Sequence, residues 1–365
     1  MRRRTQARDA CPRERRLKLL RRITLLGFVL LLVGAAGGVW LVHTQRSAME
    51  RPLRIGDEPF VYTVPSGASI ARVARDLEAA GIIESPLRLV LEARWSGDAG
   101  RIKAGEYALE PGLTPSGLID LLVEGVVVQY PFTIIEGWTF RELRRRIAGS
   151  EELVQTLKGL SDAEVMAKLG HPEMHPEGRF FPETYHFPSG ATDLQLLSRA
   201  FDTMAGYLES AWAGRAPDLP LSSPDEALVL ASIVEKETGA AEERARIAGV
   251  FVSRLRRGMR LETDPTVIYG LGDDFDGDLT KADLRRDTPY NTYTRKGLPP
   301  TPIAIASAAA IDAVAVPIED GSLFFVSKGD GRHVFSSNYD DHRKAVYHYQ
   351  IRARRSERTA QSESE

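Results

Sequence analysis

Leu228-Val229-Leu230-Ala231-Ser232-Ile233-Val234-Glu235-Lys236-Glu237-Thr238-Gly239 is an apolar run that ends in two carboxylates and a glycine. Apolar residues on every side of a helical repeat mark a core helix rather than a surface one. A helix from about Asp225 to Thr238 is therefore expected. Successive residues turn by ~100°, so Glu235 and Glu237 point about 200° apart and do not share a site. Glu237 stacks over Leu230, Ile233 and Val234, whereas Glu235 stacks over Leu228, Ala231 and Ser232. A carboxylate held out of water by apolar neighbours is raised in pKa and serves as an acid near neutral pH. Glu237 is the candidate general acid.

The sequence around this helix sets the frame. The chain has 365 residues, 43% of them apolar and 27% charged, which is globular composition with room for more than one domain. Its formal charge of −2 is uneven: residues 1–22 hold ten Arg or Lys against two acids, which leaves −10 for the rest. A mildly acidic body is a poor partner for nucleic acid. The single cysteine, Cys11, lies in the basic tail, so no intrachain disulfide and no cysteine-rich zinc site can form.

Behind the basic tail, Ile23 to Val42 is twenty residues without a charge. A helix of that length spans the ~30 Å hydrocarbon core of a bilayer. The preceding basic residues favour a cytoplasmic N-terminus, with the body on the far side. A cleaved secretory signal is the alternative, given Gly34-Ala35-Ala36-Gly37, but the apolar run exceeds the ~7–15 residues of a signal core.

Residues 45–58 read as a polar linker, and 58–125 as a small module in which helix and strand alternate. Strands are expected at 60–64 and 105–109, and helices at 70–80, 86–95 and 115–124, with Ser69 as a cap and Gly81 as a stop. The larger mixed α+β region, 126–352, starts with a strand-rich stretch interrupted by Pro131 and a helix capped by Thr139. Residues 151–215 read as mainly helical apart from a loop from His171 to Pro188. A helix is expected from about Ala241 to Arg257, and a long loop over 259–305. A small-residue helix over 304–314, paired strands at 323–326 and 333–335, and a last helix over 340–352 follow. Residues 353–365 have the composition of a disordered tail. The fold class is thus α+β: an N-terminal transmembrane helix, a small α/β module and a larger mixed domain.

Three segments of the larger domain are rich in aromatic, proline and amide residues. They are Glu177-Gly178-Arg179-Phe180-Phe181-Pro182-Glu183-Thr184-Tyr185, Tyr290-Asn291-Thr292-Tyr293 and Gly297-Leu298-Pro299-Pro300. Apolar faces with a few placed polar groups suit a sugar ring. No metal site is expected: Pro172 and Pro176 break any helix that would align His171 with His175, and Gly277 falls at the wrong position for a calcium loop among Asp273, Asp274, Asp276 and Asp278.

Together with Ala231 to Thr238, Arg254-Leu255, Gly258-Met259-Arg260-Leu261 and Thr263-Asp264-Pro265-Thr266-Val267-Ile268-Tyr269-Gly270, these segments resemble the YceG-like family of endolytic murein transglycosylases. The resemblance runs from about residue 58 to 350. It implies a single-span inner-membrane protein with a LysM-like module at 58–125 ahead of a catalytic domain at 126–352. It implies cleavage within peptidoglycan glycan strands, a role in ending strand growth, peptidoglycan synthases as partners, and no cofactor. Glu237 matches the family's catalytic glutamate, and Glu183, Tyr185, Asp264, Asn291 and Tyr293 are the expected sugar-orienting residues. A hydrolytic muramidase and a wall-binding scaffold without catalysis are the alternative readings.

Overall fold

The computed structural model describes residues 12–352. The remainder of the basic tail, including Cys11, and the polar tail 353–365 lie outside the described residues. The chain separates into two compact units between Val128 and Gln129.

In the first unit, helix α1 (Pro12–Met49) carries the apolar segment. Thr24–Met49 within it is, among the described residues, the helix long and apolar enough to cross a membrane. The helix continues through the start of the expected linker, because Gln45 and Met49 are buried and the Gln45 amide donates to the Arg88 carbonyl at 3.0 Å. Strand β1 (Phe60–Val64) pairs antiparallel with β2 (Gly105–Leu109), Phe60 opposite Leu109 and Val64 opposite Gly105. Helices α2 (Ile70–Ala79) and α3 (Pro86–Trp95) lie between them in sequence, and α4 (Pro115–Glu124) follows. Ile70, Val73, Ala74 and Leu77 form the inner face of α2, as the spacing predicts, but Ala80 is exposed beyond its end. These residues share a core with Leu89, Tyr107, Leu109, Leu118 and Leu122. Each fully buried leucine contributes ~1.5–3 kcal/mol over an exposed one.

The second unit opens with β3 (Gln129–Thr133), antiparallel to β4 (Thr184–Pro188). β4 lies where the sequence reads as loop. Its flanking prolines hide a short alternation in which Tyr185 and Phe187 turn inward. Pro131 and Pro188 are tolerated because a two-stranded ribbon has only edges. Helices α5 (Phe140–Ala148), α6 (Asp162–Lys168) and α7 (Asp193–Ala213) all start with full capping boxes, on Thr139, Ser161 and Thr192. Phe132, Phe140, Leu143, Phe180, Tyr185 and Phe201 join in one core cluster.

Helix α8 (Pro224–Glu237) is the centre of the second core. Its cap is Ser223, whose hydroxyl accepts from the Glu226 N–H, and every residue from Ala227 to Val234 is buried. α9 (Arg244–Arg256), preceded by a 3₁₀ turn over Ala241–Glu243, and α11 (Ala308–Ala315) pack against it. Between them, α10 (Asp264–Leu271) occupies part of the expected long loop, with Pro265 in its first turn. α11 begins later than the composition predicts, since Ile303 to Ala306 run as a buried non-helical segment. Strands β5 (Phe324–Ser327) and β6 (His333–Ser336) form a hairpin, and α12 (Tyr339–Val346) ends in a π turn over Tyr347–Arg352. Gly249 on α9 admits the backbone of Ile318 so closely that a Cβ there would sit 2.0 Å from the Ile318 carbonyl oxygen.

Candidate active site

The helix α8 ends at Glu237 because Thr238 turns to an extended conformation, φ −146°. Glu237 is half-buried and lines a cleft of about 450 Å³. Burial raises its pKa above the ordinary carboxylate value, and the charge of Asp264 pushes the same way. A hydrogen bond from Thr263 and the charges of His333 and Arg254 oppose the rise. The net direction is upward, which favours the protonated acid.

Three buried threonines hold the acid from behind. The Thr263 hydroxyl donates to Glu237 Oε1. The Thr263 N–H donates to Thr292 Oγ1 at 3.1 Å, the Thr266 hydroxyl donates to the Thr263 carbonyl at 2.8 Å, and the Thr266 and Thr292 hydroxyls lie 2.8 Å apart. Glu262, next to Thr263, has φ +53°, a strained conformation for a side chain of its size. It places its carboxylate 3.3 Å from Arg254 Nη1 at the cleft. Arg254 is buried, and its guanidinium also donates to the carbonyls of Leu323 at 2.7 Å and Leu261 at 2.8 Å. Phe324, Phe325, Tyr339 and His342 complete the far wall.

The expected sugar-orienting residues divide sharply. Asp264 and Tyr293 line the cleft with Glu237, and the Tyr293 hydroxyl donates to Asp264 Oδ1 at 2.6 Å. Burial, then Asp264, raises the Tyr293 hydroxyl above its ordinary pKa, so it stays protonated. Asn291 is fully buried and shapes the loop instead. Its amide donates to three carbonyls, those of Asp283, Leu284 and Arg286, and its Oδ1 accepts the Tyr293 N–H at 2.8 Å. Glu183 and Tyr185 are not brought to this cleft. Glu183 is exposed beside β4, and Tyr185 is a core residue whose hydroxyl donates to the Phe181 carbonyl at 2.9 Å.

Glu235, on the other face of α8, has a structural task. Its carboxylate accepts the Ser307 N–H at 3.1 Å and so caps α11. A larger cavity, about 840 Å³, lies at the opposite end of α8; of its acids, Asp225 pairs with Arg179, Glu226 accepts the Ser222 N–H at 2.6 Å, and Glu173 is exposed at the surface. Volume alone does not locate the chemistry.

The defining pattern of the YceG-like family matches residues 62–348. The chain belongs to the YceG-like family. An endolytic murein transglycosylase of Bacillus subtilis is 30% identical over 303 residues, which cover 78% of this chain and 83% of that one. A protein of the same name from Streptococcus pneumoniae is 26% identical over 317 residues, 78% of this chain and 57% of the relative, so the chain spans little more than half of that protein. The crystal structure of a YceG-like protein from Listeria monocytogenes aligns with a TM-score of 0.50 at 28% identity, covering 79% of this chain and 99% of that one.

Within the span that matches the family, the sequence reading passes over the residues that hold Glu237. Thr263, Thr266 and Thr292 sit in quoted motifs but carry no role there. Arg254 leaves one visible signal: it falls on the apolar face of α9, spaced from Ile247 and Phe251 as a core residue would be. His333 reads only as a strand residue.

Proposed function

We propose that the chain is a membrane-anchored endolytic peptidoglycan transglycosylase, a lyase, with Glu237 as both its acid and its base. The observation that carries this is the Glu237 carboxylate, desolvated at the end of an apolar helix yet open to a cleft. The protonated side chain donates to the oxygen linking N-acetylmuramic acid to N-acetylglucosamine. As that C–O bond breaks, positive charge develops at the muramic anomeric carbon. The C6 hydroxyl of the same sugar then attacks that carbon and returns its proton to Glu237. A 1,6-anhydro end forms and no water is consumed. Acid–base assistance of this kind contributes on the order of 10²–10⁴ in rate. Asp264 and Tyr293 orient the sugar, Asp264 by its charge and Tyr293 by its hydroxyl. Asn291 sets the position of Tyr293.

The first unit's strand–helix–helix–strand order supports a LysM-like, glycan-binding module. The segment Thr24–Met49 supports a single-span anchor. With the basic residues before it on the cytoplasmic side, the body lies outside the inner membrane, where nascent glycan strands and the synthases that extend them are found.

A hydrolytic muramidase is the second reading, favoured by one observation: Asp264 lines the same cleft as Glu237 and could serve as a second carboxylate. Mass spectrometry of glycan strands treated with the detergent-solubilised full chain separates the readings. The proposal expects 1,6-anhydro-muramic ends on shortened strands. Reducing ends would establish hydrolysis, and strands bound but never shortened would establish a wall-binding scaffold.

A further inference from the structure

The uncharged run of α1 ends at Val42, yet the helix continues to Met49. Its last turns are fastened to the first unit. Gln45 and Met49 are buried, and the Gln45 amide donates to the Arg88 carbonyl in the first turn of α3 at 3.0 Å. Just past the helix, the Leu53 N–H donates to the Leu113 carbonyl at 2.7 Å, and the Arg54 N–H to the Ile82 carbonyl at 3.0 Å. These bonds hold the start of α3 against the end of the apolar helix. Helix geometry then sets its depth. Gln45 stands three residues past Val42, ~4.5 Å at ~1.5 Å per residue. The headgroup layer on each side of a ~30 Å hydrocarbon core is ~5–7 Å deep. With Val42 at the hydrocarbon edge, the start of α3 lies among lipid headgroups.

The side chains at that depth are basic. Arg51, Arg54 and Arg88 converge on one pocket of about 130 Å³ at the foot of α1, next to Met49 and Leu89. Glu84 is the acid in its lining and is paired with Arg54, so three arginines against one acid leave a charge of +2. Arg51 and Arg88 are exposed and, among the described residues, pair with no carboxylate; the same holds for Arg46, beside Gln45. Leu87, between the start of α3 and Arg88, is 66% exposed. A guanidinium fork matches the oxygens of a phosphate, and basic side chains at a membrane surface are drawn to anionic lipid. An exposed leucine among them suits the boundary between headgroup and acyl chain.

We propose that this end of the first unit is a membrane-surface site for anionic phospholipid: Arg46, Arg51 and Arg88 take the lipid phosphate in the outer leaflet, and Leu87 enters the interface beside them. The inference rests on the reading of Thr24–Met49 as an anchor and goes beyond it. The anchor keeps the chain on the membrane, whereas the lipid contact fixes the height and tilt of the module above it.

The test places a fluorophore at the site. The full chain carrying Cys11→Ser and Leu87→Cys is labelled at residue 87 and reconstituted in lipid nanodiscs. The discs contain a small fraction of headgroup-region spin-labelled phosphatidylglycerol or, in parallel, spin-labelled phosphatidylcholine. Quenching by phosphatidylglycerol should exceed that by phosphatidylcholine about fivefold or more, the effect of at least one basic residue at an anionic surface. The basic tail does not contribute, because it meets the opposite leaflet, ~30 Å away. Arg46→Gln, Arg51→Gln and Arg88→Gln combined should bring the two quenching levels together, and the corresponding three lysine substitutions should keep them apart. Equal quenching by both lipids in the parent chain, no quenching by either, or an unchanged ratio in the glutamine variant would overturn the inference. Carbonate washing of vesicles holding the wild-type chain separates the two claims. Release of the chain would defeat the anchor, whereas a retained chain with equal quenching defeats this inference alone.

Discussion

Thr263→Val isolates the hydrogen bond that Glu237 receives. Valine keeps the branched shape of threonine. The Thr263 N–H to Thr292 and the Thr266 bond to the Thr263 carbonyl involve only backbone atoms of residue 263, so both survive. What is lost is the hydroxyl that donates to Glu237 Oε1. A hydrogen bond to a charged group is worth ~1.5–3 kcal/mol, and one pKa unit is about 1.36 kcal/mol, so the Glu237 pKa should rise by about 1–2 units. The proposed reaction needs Glu237 protonated, so the alkaline limb of kcat/KM should move up by the same amount. Stability carries the matching sign. Glu237 is raised above its ordinary value of 4.5 in the folded protein, so the native state holds a proton that the unfolded chain has released. Its contribution is complete below the unfolded pKa and declines as pH rises toward the folded one. The variant extends that decline upward, costing ~1.5–3 kcal/mol above both values and little in acid. Activity profiles and urea unfolding at acid and alkaline pH measure both effects. An alkaline limb that stays put or moves down would refute the reasoning.

Asp264→Asn should do the opposite, lowering the alkaline limb, because Asp264 raises the Glu237 pKa; the same pH series checks it. Burial raises the pKa of Glu177, fully enclosed between the Phe140 N–H at 2.9 Å and the Tyr269 hydroxyl at 3.0 Å, to about 7. Wild-type stability should therefore fall by about 3 kcal/mol as pH rises from the unfolded carboxylate range through 7, and Glu177→Gln should flatten that slope in pH-dependent denaturation. Gly249→Ala forces a methyl against the Ile318 carbonyl and should cost at least ~1–3 kcal/mol, read as a lower melting temperature.

The apolar run of α8 was legible because an unbroken stretch of apolar residues at helical length marks a core helix, while its serine cap and first-turn proline went unread. The first unit's elements were legible from short strand alternation and from apolar residues at helical spacing between Ser69 and Gly81. β4 was not, since five residues between prolines look like loop until Phe132 and Tyr185 are seen to pair. α10 hid in a stretch rich in turn residues, where Asp264-Pro265 was the only start signal. At the site, local sequence pointed to Glu237 because its helical neighbours are adjacent in the chain. The threonines that hold it come from positions 263, 266 and 292, and His333 from a separate hairpin, so no window of sequence contains them together. Tyr185 and Tyr293 both sit in aromatic motifs, and only the fold tells the core tyrosine from the one in the cleft.

The central claim is that one carboxyl group performs both proton transfers. Glu237→Gln keeps the size and hydrogen-bonding reach of the side chain but holds no proton to give. Purified full-length Glu237→Gln, with unfolding matched to wild type, should release no 1,6-anhydro-muramic ends from glycan strands by mass spectrometry. Release of those ends at the wild-type rate would contradict the account.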